Sequence, residues 1–275
     1  MRYVVVPQWQ GSPSSRAMRL ADGANAIFGD LPERASTMVE VPIGAGDARG
    51  TGILRLSSLN MVAEQLTAEL ASSPEAALVV GGDCSVEFAA VSHAATDATA
   101  VVWFDAHPDL NTPDSSESGA FSGMVLRALM GDSGEALDGT SLGDLETAVP
   151  ADRIVLVGAR SFDEAEDAFV ESSALRVVSA FDLDPAEVVE AVAATGATSV
   201  YIHIDLDVLD PASFDGLLDP QPFGLEPATL VATIRALRER FELVGAGLCS
   251  FAPVTPEAAS DDLGTILRLI GALSR

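Results

Sequence analysis

The chain has 275 residues, 48% of them apolar and 20% charged, with a formal net charge of −26. This is enough length and apolar content for a sizeable core, which excludes a disordered chain, and the charge argues against nucleic acid or an anionic membrane surface as partner. Two cysteines, Cys84 and Cys249, offer no disulfide framework, which fits a reducing cytoplasm, and no apolar run reaches the roughly 18 residues of a transmembrane helix.

In chain order, Tyr3-Val4-Val5-Val6 ahead of Pro7 reads as a first strand and is too short for the core of a signal peptide. Further β-branched or apolar runs cover 37–43, 77–81, 98–105, 153–158, 175–179, 199–207 and 243–251, giving eight strands in all. Between most of them lie stretches of helical period. Over 54–70, Leu56, Leu59, Val62, Ala63 and Leu66 share one face, and 185–194, 227–241 and 261–273 read the same way. Pro185 and Pro227 stand at helix starts, where a missing amide donor does no harm. The Gly- and Asp-rich stretch 132–151 reads as a surface excursion with room for a short helix. Alternating strand and helix predicts an α/β fold with a mainly parallel sheet covered on both faces. No internal repeat or linker-like break appears, so a single domain over 1–275 is expected.

In such sheets a ligand binds outside the carboxyl ends of the strands. The stretches with chemical character all fall there: Gly81-Gly82-Asp83-Cys84-Ser85 after the third strand, Asp105 to Asn111 after the fourth, Gly158 to Asp163 after the fifth, Asp205 to Asp210 after the seventh, and Cys249 to Pro253 after the eighth. Asp105, His107 and Asp109 alternate, as do Asp205 and Asp207, and alternate residues of an extended segment point the same way. Buried carboxylates gathered like this are unfavourable unless a cation lies between them. Oxygen-rich ligation with a little imidazole suits Mn(II) better than a softer metal. The plainer reading is that these aspartates only cap strands and open turns.

Taken together, GGDCS, DAHPDLNTP, the Ser118-Gly119 and Gly123-Met124 pairs, and DLDVLDP resemble the ureohydrolase superfamily of arginase, agmatinase and formiminoglutamase, in the right order over about residues 77–253. The resemblance implies a three-layer α/β/α fold around a parallel eight-stranded sheet, a binuclear Mn(II) centre, a small-molecule substrate, and a trimer or hexamer. It implies that Asp105 and Asp205 bridge both metals, that His107 and Asp207 complete one site, and that Asp109 and Cys84 complete the other. A hydroxide between the metals would attack the amidine carbon, and Asp109 would carry its proton to the leaving amine. Asn111, Ser116 and Ser118 match positions that bind a substrate α-carboxylate, and Asp163 and Glu166 match those that receive its α-amino group. Short Ser and Asn side chains are equally common turn formers.

Three positions depart from the family pattern. Cys84 stands where the family has the histidine of GGDHS, and thiolate is a soft ligand poorly matched to Mn(II). It reads either as a native ligand, with a weak site or one for another divalent metal, or as a buried thiol. Ser122 stands in place of a proton-shuttling histidine, and Ser250 in place of a glutamate that pairs with a guanidinium head. A serine cannot titrate near neutral pH. His203, two residues before Asp205, reads as a core or supporting histidine. The expectation is a hydrolase of a C–N bond in an arginine-like or N-hydroxyarginine-like amino acid. An agmatinase- or formiminoglutamase-type activity, or a non-catalytic binding or regulatory relative, stand as alternatives.

Overall fold

The computed structural model describes residues 1–145 and 147–274. Its elements alternate: β1 (Arg2–Val6), α1 (Met18–Asp30), β2 (Ser36–Met38), α2 (Leu56–Ala71), β3 (Ala77–Gly81), α3 (Glu87–Ala94), β4 (Thr99–Phe104), α4 (Val125–Leu129), β5 (Ile154–Val157), α5 (Glu164–Ser172), β6 (Arg176–Val178), α6 (Pro185–Ala193), β7 (Ser199–Asp205), α7 (Pro227–Arg240), β8 (Glu242–Cys249) and α8 (Pro256–Ser274). All eight expected strands form one parallel sheet in the order β2-β1-β3-β8-β7-β4-β5-β6. Among the described residues no helix is long and apolar enough to cross a membrane.

The two-residue period of the strands divides the core into two layers. Val5, Val80, Val102, Phe104, Ile202 and Ile204 face the layer closed by α1, α6, α7 and α8. Val4, Val79, Val101, Trp103 and Tyr201 face the layer closed by α2, α3 and α4. Both faces of β4 and β7 are buried along their whole length, which is why these strands read as unbroken apolar runs. The edge strands β2 and β6 are three residues each and half exposed, a length that limits pairing with another chain.

Differences from the sequence expectation have physical causes. The second strand stops at Met38; Val39 still donates to the Val5 carbonyl at 2.8 Å, but Pro42 has no amide to continue the ladder, and Ile43 is exposed. The stretch 132–151, described apart from Glu146, is more than a surface excursion: Leu137, Leu142 and Val149 are buried in the core beside α2 and α4. α1 buries Leu20, Gly23, Ala24 and Ile27 at helical spacing, so two of the four positions of its packing stripe are small residues. A Cβ on Gly23 would lie 1.9 Å from the Phe251 carbonyl oxygen, so only glycine lets the helix approach the end of β8 so closely.

Gly23→Ala should therefore destabilise the protein by about 1–3 kcal/mol despite a helix-propensity gain of up to about 1 kcal/mol. Gly29→Ala, on the same helix with nothing within 4 Å of the added carbon, should be neutral or mildly stabilising. Urea unfolding of the two variants compares them directly; equal stabilities would mean that the close approach is not a constraint.

Candidate metal centre

The middle four strands, β3, β8, β7 and β4, deliver the chemistry at their carboxyl ends. Register sets Trp103 beside His203 and Asp205 beside Cys249. Asp105 and Asp205 each leave a strand and close the same small turn: the Asp105 carboxylate accepts from the His107 amide at 2.7 Å, and the Asp205 carboxylate from the Asp207 amide at 2.9 Å. The convergence of alternate residues thus comes from two aspartate-capped turns, one of them the 3-10 turn Leu206–Val208, and not from continued extended strand.

His107 Nδ1 lies 2.9 Å from Asp207 Oδ2 and 3.6 Å from Asp105 Oδ1. The other Asp207 oxygen accepts from the Ala106 amide at 3.0 Å. Asp109 takes a left-handed backbone (φ 53°), and its Oδ2 is buried with no hydrogen-bond partner among the described residues. Cys84 sits on the 3-10 turn Cys84–Val86, which Asp83 caps by accepting from Ser85 N and Gly11 N at 2.9 Å. The Cys84 thiol donates to Asp205 Oδ2 at 2.9 Å. Burial first, then mutual repulsion, raises the pKa of Asp109 and Asp207 well above the ordinary carboxylate value and that of Asp205 above it. Burial acts the same way on Asp105, but the imidazoles of His107 and His203 outweigh it and hold that carboxyl low. Against its own burial, His107 is pushed up to about 12 by Asp105 and Asp207.

These groups form the floor of a cavity of about 400 Å³. Cys84, His107, Asp109, Asp205 and Asp207 line it, while Asp105 lies just beneath, 1% exposed. The wall carries Asn111, Ser118, Ser122, Asp163 and Glu166; Ser116 does not line the cavity and instead bonds Ser118 at 3.3 Å. Asp163 and Glu166 form a capping box at the start of α5, and Glu166 also accepts from the Leu110 amide at 3.2 Å. Asn111 donates to Asp163 Oδ2 at 2.7 Å. Ser116 and Ser118 accept from backbone amides at 3.1 Å, so turn-forming is part of what these serines do. Burial pushes Glu166 up to about 7. Ser250, with φ 70°, donates to Asp205 Oδ2 at 2.5 Å and is thereby tied to the floor.

His203, read from the sequence as a core or supporting residue, is buried with its Nε2 3.8 Å from Cys84 Sγ. Two further features escape a reading of the sequence. Asp219 lines the cavity with an oxygen 3.6 Å from His107 Nε2, on a loop without a motif. Arg160, within a stretch recognisable only by its place after β5, straps the Asp205–Asp207 turn by donating to the Asp207 carbonyl at 2.8 Å. Asp210 orients the following loop by accepting from Ala212 and Gly224 amides, as its position before Pro211 suggests.

The donor set fits a divalent cation. Asp105, His107 and Asp207 place ligand atoms within 4.8 Å of one another, as do Cys84, Asp105 and His203, and the orphaned Asp109 Oδ2 points to a missing positive partner. The arginase family model matches residues 19–267. An arginase of Bacillus caldovelox is 31% identical over 202 residues, 68% of this chain and 67% of that one. An N(omega)-hydroxy-L-arginine amidinohydrolase of Streptomyces lavendulae is 28% identical over 273 residues, 95% of this chain and 93% of that one. The arginase of Entamoeba histolytica, solved with L-ornithine, shares the fold with a TM-score of 0.84 at 23% identity, covering 99% of this chain and 97% of its own. By family match, by relatives and by fold, this chain belongs to the arginase family of hydrolases.

Proposed function

We propose that the chain is a manganese-dependent hydrolase that cleaves the C–N bond of a guanidino-type amino acid, with arginine and N-hydroxyarginine as the substrate class. One observation carries this reading: the carboxylate and imidazole donors converge on the floor of the same cavity whose wall holds Asn111, Asp163 and Glu166. Asp105, His107, Asp207, Asp205, Asp109 and Cys84 are the residues proposed to hold two cations. Bound there, divalent ions supply Lewis acidity, acidifying water and polarising the amidine.

The chain's own groups account for the rest. Asp109, at the pocket face of the floor, takes a proton from the attacking water and returns it to the departing nitrogen. Water adds to the amidine carbon, the C–N bond breaks, and an amine and a urea-type product leave. Ser122 hydroxyl can hold a water but no proton charge, which leaves Asp109 as the proton carrier. At the far wall Asp163 and Glu166 accept the substrate ammonium, and Asn111 and the Ser118 hydroxyl serve the carboxylate. Ser250 gives no carboxylate to a cationic head; Asp219 is the carboxylate in reach of that end of the pocket. The described lining includes no lysine or arginine, which disfavours a dianionic formiminoglutamate-type substrate. The relative from Streptomyces lavendulae, matched over nearly its full length, supports the amino-acid reading over agmatine. We further expect one catalytic domain over 1–275, a homo-oligomer (trimer or hexamer), and a cytoplasmic location, on family resemblance.

Arginine, N-hydroxyarginine and agmatine, each incubated with the manganese-loaded protein, test the substrate class by mass spectrometry of the products. Turnover of an amino acid substrate is expected; turnover of agmatine alone would overturn the assignment. Asp109→Asn should lower kcat by about 10²–10⁴-fold, whereas Asn111→Ala should act mainly on KM for amino acid substrates and leave agmatine, which has no carboxylate, little affected.

Metal binding should also depend on pH in a defined sense. Asp109, Asp205 and Asp207 titrate above their ordinary 3.8, so their contribution to stability is complete below that value and is lost as pH rises through the raised pKa. His107 has the same sign, complete below 6.5 and lost toward about 12, while Asp105, held low, is lost only in stronger acid. A cation replaces those protons, so manganese should raise Tm more at about pH 8 than at about pH 5.5. Equal increments in metal-titrated thermal unfolding would count against a carboxylate-held cation.

A further inference from the structure

Beneath the cavity floor lies a second layer of ligand-type groups. His203 is fully buried and stacks on Trp103, ring centroids 3.7 Å apart. Its Nε2 lies 3.8 Å from Cys84 Sγ and 3.9 Å from Asp105 Oδ2. Ligand atoms bonded at about 2.0–2.3 Å to one tetrahedral zinc stand about 3.3–3.6 Å apart, so the two His203 distances need to close by only a few tenths of an ångström, and all three ligand atoms lie within 4.8 Å of one another. Cys84 lines the cavity, which opens this position to solvent ions.

Behind the imidazole sits Glu87, fully buried, with Oε2 3.4 Å from His203 Nδ1 and accepting from the Tyr201 hydroxyl at 2.8 Å. The Nδ1 contact is close but off the line of a directed hydrogen bond. A place is kept for this carboxylate: a Cβ on Gly247 would lie 1.9 Å from Glu87 Oε1. A carboxylate behind an imidazole is the arrangement that fixes the proton on Nδ1 and turns the Nε2 lone pair toward a metal. A buried Glu–His pair serving packing alone is at best neutral for stability, so its upkeep calls for another role.

We propose that His203 supplies the imidazole missing at position 84, so that one cation position is a Cys84–His203–Asp105 site that prefers zinc or cobalt to manganese. The other position, Asp105–His107–Asp207, remains oxygen-rich and suited to manganese, which makes the centre a mixed pair. Binding takes the proton from the Cys84 thiol, now donated to Asp205 Oδ2, and releases it to solvent; no oxidation or reduction is involved. Glu87, His203 and Cys249 also cluster, but neither Glu87 nor Cys249 reaches the cavity, and they would engage the opposite ring nitrogen. The proposal rests on the reading that the centre holds cations, not on the identity of the substrate.

The test uses metal-free full-length protein. Cobalt(II) at one equivalent should give thiolate-to-cobalt absorption in the wild type and in Cys249→Ser, and none in Cys84→Ser. His203→Asn should weaken zinc binding by at least about tenfold while leaving manganese affinity at the other position within twofold to threefold, a split that simple unfolding cannot produce. Should that variant fail to fold, X-ray absorption of zinc-loaded His107→Ala decides: a sulfur and an imidazole ligand together identify His203, because His93 lies with Glu75 and Glu242 around a separate cavity. Zinc without sulfur, or two manganese ions bound with full affinity in His203→Asn, would overturn the mixed site and leave the hydrolase reading standing. Bound zinc with sulfur and imidazole, but no turnover of any guanidino substrate, would support the site and overturn the hydrolase.

Discussion

Asp105, Asp109, Asp205 and Asp207 meet where almost no water reaches, each at most 6% exposed, and their mutual repulsion is the constraint under which this edge of the sheet is built. Without compensation such a group would take up protons or open to solvent. The chain instead spreads backbone donors around it: the amides of Ala106, His107 and Asp207 all point at carboxylate oxygens. Those donors fix where each oxygen lies, yet they leave Asp109 Oδ2 unsatisfied. A polar atom left open on the floor of a cavity is the mark of a place meant for something outside the chain.

Holding that geometry requires backbone conformations that the residues would not choose. Asp109 and Ser250 both adopt positive φ without being glycine, a strain of roughly 1–3 kcal/mol each. Neighbouring elements over-determine them. The Asp109 carbonyl accepts from the amides of Leu126 and Arg127 at the start of α4, and the Ser250 amide donates to the Gly82 carbonyl at 2.8 Å. The strain therefore falls on two of the residues that face the cavity, in the loops that follow β4 and β8, while β4 itself is fully buried and β8 is buried over its carboxyl-terminal half.

How far the sequence discloses this depends on what each residue must do. β4 and β7 are legible because burial on both faces demands an unbroken apolar run, and Asp105, His107, Asp205 and Asp207 stand out because charges directly follow such runs. α1 keeps a buried stripe at helical spacing, but two of its four members, Gly23 and Ala24, are small and inconspicuous, and α5 is hard to read because it is largely acidic and exposed apart from Glu166. The cause given for the converging carboxylates needed revision: turn hydrogen bonds, not strand alternation, aim them. His203, two residues before Asp205 on a strand, reads as one step deeper. Only the register that stacks it on Trp103 and faces it with Cys84 shows how near it lies.

The same excess of negative charge bears on what the cavity can accept. With Asp163, Glu166 and Asp219 in its described lining and neither lysine nor arginine among those residues, the field along the cavity favours cations at every depth. A net charge of −26 extends that preference beyond the mouth. Metals at the floor would locally reverse it, since bound cations are the largest charges in such a site. On the proposed reading, a substrate would be sorted along its length: an ammonium by the acidic wall, a carboxylate by neutral donors such as Asn111, and the reacting carbon by the reversed field at the floor. Ser250, tied to Asp205, offers no carboxylate of its own to a charged guanidinium there, which on the same reading would reduce the advantage of arginine over less basic amidines. Selectivity would then come from the wall, through its reading of an amino acid end, more than from the reacting group itself.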